Sequence, residues 1–307
     1  MIKHVFIINP AAGKAKGMNL IPVIRDIFKD SPDEYVIEVT NAPGHAEIIA
    51  ASYSRQSRCR IYSVGGDGTL NEVMNGIVGT DSELAIIPCG SGNDFIRSIT
   101  DDFDIKDILN RTIHSKTEYI DFAKVNSRYF LNIASVGFDA EVVYNARKLK
   151  KVPGVSGSLA YILSIIYTVF VYRGRHLKIT VDNQKFSSKF LLVAVANGKF
   201  YGGGMKPVPQ ADLQDDMLDI CLIDPLNIFK ILAFFPKFMK GEHVTMKEAN
   251  FMKGRKIDIE CFNQDISINA DGEIFRGRKI QFEIQSQKIS VVIPSKDITM
   301  EQAAERY

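Results

Sequence analysis

Val64-Gly65-Gly66-Asp67-Gly68-Thr69-Leu70-Asn71-Glu72 is the stretch on which the fold turns. Before it, Arg60–Val64 (RIYSV) is a short apolar strand. After it, Leu70, Val73, Met74, Ile77 and Val78 recur at helical spacing. Three glycines in four residues let a backbone turn tightly and come close to a ligand where a Cβ would clash. The N-terminus of the helix that follows turns its N–H groups toward that space and favours phosphate. Asp67 stands among these donors, where a hard carboxylate oxygen suits Mg²⁺ on a phosphate. Taken alone, G-G-x-G is equally well a tight turn, with Asp67 and Thr69 capping the helix. It is not a P-loop, because Gly13-Lys14 lacks the upstream glycine and the Ser/Thr after the lysine.

Working outward, strands and helices alternate. His4–Asn9 (HVFIIN) is a buried strand closed by Pro10 and Gly13. Leu20, Ile24, Ile27 and Phe28 have helical spacing, Tyr35–Thr40 (YVIEVT) is a strand, His45–Tyr53 a helix, and Leu84–Ile87 a fourth strand ending at Pro88. This alternation predicts a parallel sheet with helices on both faces. Two further glycine-bearing loops leave strand ends of that sheet, Asn9–Gly13 and Pro88–Phe95. The loop Thr40–His45 is a fourth, with Thr40 within reach of a nucleotide and His45 as a cap or surface residue. Ligands of open parallel sheets bind outside the carboxyl ends of the strands.

From about Tyr119 the texture changes to strand-like runs separated by turns: YIDFAKV, RYFLNIASV, HLKITVD, KFSSKFLLVAVAN, MLDICLI, KIDIEC, DISINAD and KISVVIP. Many short strands predict an antiparallel sandwich. Helical stretches at Ala140–Lys150, Leu159–Tyr172 and Asn227–Lys240 interrupt them, with Pro236 breaking the last. The expected organisation is 1–120 as an α/β unit and 121–294 as a β-sandwich. A tail, 295–307, is expected to pack back on the first unit.

Composition bounds the classes. The 307 residues are 46% hydrophobic and 24% charged, as in a globular chain. Lys+Arg total 38 and Asp+Glu 36, a formal charge of +2 that speaks against nucleic-acid binding. Four dispersed cysteines form no C-x-x-C pair, which fits a reducing cytoplasm. The start lacks the long apolar core of a signal peptide, and Leu159–Tyr172 falls short of the ~20 residues that span a bilayer. The expectation is a soluble protein.

Asn9-Pro10, the Thr40…Gly44-His45 loop, GGDGTLNEV and GSGNDF, in this order, resemble the diacylglycerol kinase catalytic family, which includes bacterial soluble lipid kinases and, more distantly, sphingosine and ceramide kinases. The likeness runs on through Ser135–Ala140, Ala196-Asn197-Gly198 with Gly202-Gly203-Gly204, and Asn269–Glu273, so it spans nearly the whole chain. It implies an N-terminal α/β domain like that of phosphofructokinase and NAD kinase, a C-terminal β-sandwich, and ATP in a cleft between them. Carried over, Asn9, Gly13, Thr40, Gly65, Gly66, Asp67, Gly68, Thr69, Ser91 and Asn93 line the nucleotide site. Asp271-Gly272-Glu273 resembles the catalytic segment, with Glu273 as base, Asp271 next, and Asp67 organising Mg²⁺. The resemblance also implies a structural Mg²⁺ held by the Asp215 carboxylate and main-chain oxygens of Asp212 and Met217. Asp216 stands where relatives usually have Gly, which leaves open which Asp ligates.

The resemblance implies a lipid substrate, most simply diacylglycerol, and peripheral contact with a membrane. Leu226–Lys240 and the basic run Tyr144–Lys151 are candidates for that contact, set against core-packing helices with solvated basic faces. Relatives with this domain pair are often dimers. Competing readings are another lipid hydroxyl as acceptor, an NAD kinase, and a nucleotide-binding module without catalysis.

Overall fold

The computed structural model describes residues 2–154 and 156–294. The chain divides into two units. Among the described residues, one is built from 2–121 together with 286–294, and the other lies within Phe122–Gln285.

In the first unit β1 (Lys3–Ile8) is followed by 3₁₀ turns over Ala12–Leu20 and by α1 (Ile21–Ile27). The helical spacing that begins at Leu20 thus becomes α-helix one residue later, at Pro22's turn. The preceding segment is interrupted by three consecutive left-handed residues, Gly13, Lys14 and Ala15. Next come β2 (Tyr35–Val39), α2 (His45–Ser54), β3 (Cys59–Gly65), α3 (Asp67–Ile77), β4 (Glu83–Pro88), α4 (Ile105–His114) and β5 (Thr117–Ile120). Phe6, Ile8, Tyr62, Val64, Ala85 and Ile87 form one buried cluster with Ile24 of α1 and Ile108 and Leu109 of α4. Their alternates Val5, Ile7, Ile61 and Ile86 are buried as well, and alternation sends them to the opposite face of the sheet. Such two-sided burial is why these strands read as continuous apolar runs.

In the second unit the chain forms β6 (Ala123–Val125), β7 (Arg128–Phe130), β8 (Ile133–Gly137), α5 (Phe138–Leu149), α6 (Gly157–Val171), β9 (Arg175–Val181), β10 (Gln184–Phe190), β11 (Leu192–Ala196) and β12 (Leu218–Ile223). Then follow α7 (Ile228–Lys240), β13 (Ala249–Gly254), β14 (Lys256–Glu260), β15 (Ile266–Ala270), β16 (Glu273–Gly277) and β17 (Lys279–Ile284). Among the described residues they make two antiparallel sheets, ordered β10-β9-β14-β17-β6-β7 and β13-β12-β11-β8-β15-β16. Leu177, Ile179, Ile257 and Phe282 of one sheet share a core with Val136, Val193, Ile220 and Ile268 of the other, which is a β-sandwich. The outer side of the second sheet is covered in turn. There Ala194, Cys221 and Ile223 pack with Val169 and Tyr172 at the end of α6 and with Ile231, Phe234 and Phe238 of α7.

Three runs divide differently from the sequence reading. YIDFAKV supplies β5 to the first unit's sheet and β6 to the sandwich. KFSSKFLLVAVAN changes sheets at Leu191, where a half-exposed pattern gives way to a fully buried one. KISVVIP was expected within 121–294 as a sandwich strand. Instead β18 (Ile289–Val292) enters the first unit's sheet, parallel to β4 and antiparallel to β5, in the order β2-β1-β3-β4-β18-β5. Its Val291 and Val292 are buried, and local sequence says only that this is a strand, not which sheet takes it. Helix α7 also continues through Pro236, whose ring lies on the exposed side of the helix. The tail 295–307 lies outside the described residues.

Candidate active site

The loops that leave β1, β2, β3 and β4 at their carboxyl ends gather at one rim of the first sheet. Asn9 follows β1; its Nδ2 donates to Thr69 Oγ1 at 2.9 Å and its Oδ1 accepts the Ala11 N–H at 2.9 Å. Thr40 follows β2, buried, its N–H donated to the Ile8 carbonyl. Together with Gly68 and Thr69, these residues line a cavity of about 290 Å³, completed by Pro10, Ala11, Asn41, Ala42, Pro43, Ala46 and Glu72. The first turn of α3 opens at this rim with Gly66 as its N-cap, and the N–H groups of a helix's first turn have no intrahelical acceptor.

The β3 and β4 loops meet glycine to glycine. A Cβ on Gly90 would fall 2.4 Å from the Gly66 Cα, so position 90 must lack a side chain for the loops to touch, while a Cβ on Gly66 would make a tight 3.2 Å contact with the Gly90 Cα. Asp67 ties the contact down, because its Oδ1 accepts the Asp94 N–H at 2.7 Å. A Cβ on Gly92 would lie 2.6 Å from the other Asp67 oxygen, so the bare glycine keeps that oxygen clear. The half-buried carboxylate therefore fits a divalent cation carried on a phosphate. A small hollow beside it is lined by Gly65, Gly66, Asp67 and Asn93.

Asn93 closes its own loop: Oδ1 accepts the Gly90 N–H at 3.0 Å, and Nδ2 donates to the Gly90 carbonyl at 2.9 Å. Its left-handed φ of 51° suits asparagine. Gly13, with φ +53°, packs so tightly that a Cβ would collide with the Cys89 carbonyl. Ser91 is exposed on the β4 loop.

Glu72 acts where the motif alone does not point. From the second turn of α3 its Oε1 accepts the Gly44 N–H at 2.8 Å and its Oε2 the Ala46 N–H at 3.1 Å. It thus caps α2 from a neighbouring helix and fixes the Thr40–His45 loop. Gly44, with φ 82° at the N-cap of α2 and no side chain to cap with, was the available signal.

In the second unit, Asp271 and Gly272 are the two turn residues of the β15–β16 hairpin, with φ of 47° and 88°. Positive φ at both positions matches the Asp-Gly turn. The Asp271 carboxylate accepts the Leu131 N–H at 2.7 Å and those of Asn132 and Ile133 at 3.1 Å each. Both of its oxygens are committed to the backbone entering β8. Glu273, the first residue of β16, is exposed. The Gly272 carbonyl accepts a hydrogen bond from Arg147 of α5 at 2.8 Å.

The Asp212–Met217 loop is arranged otherwise than for an ion. Asp215 Oδ1 accepts the Met217 N–H at 3.1 Å, and Oδ2 meets the Lys253 ammonium at 2.5 Å. Lys253 also reaches Asp219 Oδ2, buried, at 3.2 Å. Both Asp215 oxygens are engaged, and a divalent cation added beside the ammonium would be repelled by it. With Lys253 in place the residues do not fit the expected structural Mg²⁺. The hydrogen bond to Asp215 raises the Lys253 pKa, against some desolvation, and the charge and hydrogen bond of Asp219 add to the rise. Asp216 does keep the left-handed conformation of a glycine turn, with φ 60°. Among the described residues, no group of three or more His, Cys, Asp or Glu side chains converges as a metal site.

Residues 3–125 match the family model of the diacylglycerol kinase catalytic domain, and residues 132–293 match that of the YegS C-terminal NAD kinase beta sandwich-like domain. Diacylglycerol kinase of Staphylococcus saprophyticus is 28% identical, over 98% of each chain. That of Bacillus subtilis is 27% identical, over 94% of this chain and 96% of its own. Among solved structures, a diacylglycerol kinase from Bacillus anthracis str. Sterne superposes with a TM-score of 0.71 at 23% identity, covering 97% of this chain and 98% of that one. An NAD kinase from Archaeoglobus fulgidus in complex with ATP does so at 0.52 and 13% identity, covering 95% and 94%. These last two likenesses are of fold.

Proposed function

The chain belongs to the diacylglycerol kinase catalytic family and is a lipid kinase, and from that premise we propose that it moves the γ-phosphate of ATP to the hydroxyl of diacylglycerol, giving phosphatidic acid and ADP. The observation that carries the nucleotide assignment is the gathering of Asn9, Thr40, Gly68 and Thr69 around one cavity, with Asp67 beside it at the same rim.

In this reading the first-turn amides of α3 and the loops after β1 and β4 receive the phosphates. Asp67 would hold Mg²⁺, which when bound neutralises phosphate charge. Thr40 and the Glu72-braced loop shape the side of the cavity that takes the rest of the nucleotide. Glu273 takes the proton from the lipid hydroxyl as its oxygen bonds to the γ-phosphorus and ADP leaves. Asp271, with both oxygens occupied by backbone donors, positions the hairpin rather than accepting that proton. Lys253 serves the Asp212–Met217 loop as a built-in counter-charge. Diacylglycerol resides in bilayers, and no described helix is long and apolar enough to cross one, so the protein meets its substrate at a membrane surface.

Mass spectrometry of a total bacterial lipid extract incubated with the protein, ATP and Mg²⁺ tests this. Phosphatidic acid formed at the expense of diacylglycerol is the expected product. Phosphate on NAD with none on any lipid would move the chain to NAD kinase chemistry. Nucleotide binding with no transfer would make it a binding module.

A further inference from the structure

Ser135-Val136-Gly137-Phe138-Asp139-Ala140 leads from β8 into α5 and carries an acid that the proposed phosphoryl transfer does not use. Asp139 sits in the first turn of α5, and its Oδ1 accepts the Ala140 N–H at 2.8 Å. An acid in a first turn complements the helix dipole, and it does so well from solvent. The Asp139 Oδ2, in contrast, is shut away from solvent and meets no hydrogen-bond partner. Ser135, 0% exposed, likewise leaves its Oγ without a partner. Burial raises the Asp139 pKa, and the Ser135 hydroxyl, the Ala140 N–H and the Tyr201 hydroxyl oppose that rise. Tyr201 is buried too; burial first, then the Asp139 charge, holds its phenol well above the usual range. Three polar side chains thus converge without satisfying one another, and an unpaired buried carboxyl is costly.

The surroundings are apolar. Ala134 and Val136 belong to the sandwich core, so alternation turns Ser135 to the outer face of its sheet. There Ala194, opposite Ser135 on β11, shares a cluster with Tyr201, Val169, Tyr172 and Phe138. Helix α6 lies against α5, and its buried side is made of small residues: Ala160, Ser164 and Thr168 are 1%, 0% and 1% exposed. Tyr161 of α6 is open to solvent, yet its pKa is raised by burial and then by the Asp139 charge, so the acid lies within range of a solvent-facing ring. On the other side of β8, Ser135 stands opposite Asn269. The Asn269 Oδ1 accepts the Gly272 N–H at 3.0 Å, in the hairpin that carries Glu273. A few convergent polar groups in an apolar wall are the make-up of a small-molecule site.

We propose that Asp139, Ser135 and Tyr201 form a specificity subsite that reads an uncharged oxygen of the acceptor lipid, an ester carbonyl on its glycerol backbone. This deepens the diacylglycerol reading and rests on it for the choice of acceptor. Burial works against the charged form of an acid, and a neutral carboxyl donates one hydrogen bond while still accepting others. The Oδ2 hydroxyl donates to the carbonyl, and the Ser135 and Tyr201 hydroxyls complete the network. A cationic amine in the same place calls for the ionised carboxylate, which burial disfavours.

Calorimetric titration of the full chain without ATP tests this, using three water-dispersed short-chain lipids: dioctanoylglycerol, its diether analogue, which lacks both carbonyls, and a sphingoid base. Wild type is expected to bind the diester at least about tenfold tighter than the diether, since a site built to hydrogen-bond a group rejects the analogue lacking it. Asp139→Leu is expected to bring the two within about twofold by weakening the diester alone, and Asp139→Asn, whose amide still donates, to keep most of the preference. The Asp139→Leu melting temperature is expected to hold or rise, because an unpaired buried acid has been removed. A lower melting temperature with the preference intact makes Asp139 a partner of the helix terminus only and overturns the subsite. Wild type that binds neither glycerolipid, or both alike, overturns it as well. So does tightest binding of the sphingoid base, lost in Asp139→Asn, which assigns the acid to an amine. In a parallel assay with ATP and Mg²⁺, phosphate transfer without any diester preference removes the subsite and leaves the kinase reading. Diester preference without transfer to any lipid keeps the subsite and removes the kinase reading.

Discussion

At the rim of the first unit the acid of the glycine loop, Asp67, commits one oxygen to a neighbouring loop and has the other kept clear by Gly92. In the hairpin of the second unit the two tasks fall to different residues: Asp271 binds three backbone amides, and Glu273 two residues on stands exposed. The first arrangement suits a charge that must be both fixed and coordinating. The second suits a base, which needs a rigid mount and an unencumbered carboxylate. An acid's place in a motif therefore does not state its task; its hydrogen-bond partners do.

The sharpest way to break the comparison is to exchange the tasks. Glu273→Gln is expected to lower kcat for ATP-dependent phosphate transfer to diacylglycerol by about 10²–10⁴-fold, with the melting temperature unmoved because the side chain is exposed. Should Asp271→Asn lose that activity at full stability while Glu273→Gln keeps it, the roles are reversed. Asp271→Ala strands three amides and is expected to cost about 3 kcal/mol in denaturant unfolding, with activity falling alongside stability.

Glu72→Ala removes two acceptors from the start of α2 and is expected to cost about 2 kcal/mol and to raise KM for ATP more than it lowers kcat. A wild-type KM in that variant would mean the Thr40–His45 loop needs no brace. A further effect lies away from both turns and appears only as the pH falls. His4 of β1, hydrogen-bonded to the Tyr62 hydroxyl at 2.8 Å, has its pKa lowered to about 4, first by burial and then by the Arg60 charge. The folded state thus favours the neutral ring. That stability is full above pH 6.5 and declines as pH falls toward 4, because the unfolded chain takes up the proton first. The expected slope is about 1.4 kcal/mol per pH unit, and His4→Gln should flatten it in acid titrations of unfolding.

The parts legible in sequence are those whose cause is local. Glycines at 65, 66 and 90 mark loops that touch, and apolar runs before each loop mark strands buried on both faces. What stayed hidden depends on residues far apart in the chain. The partners of Asp271 lie about 140 residues earlier, at Leu131–Ile133. Lys253 meets Asp215 across 38 residues, so the counter-charge in that loop has no local sign. In α6, Ser164 and Thr168 read as interruptions of an apolar run, whereas they are the side that faces the protein.

The position of β18 bears on how the molecule comes into being. Its two neighbours in the sheet, β4 and β5, end at residues 88 and 120, yet the strand between them begins at Ile289. A ribosome delivering this chain finishes the whole sandwich before it releases the strand that joins those two. Until then the nascent first half carries two open backbone edges, a standing target for chaperones or for a neighbouring polysome's product.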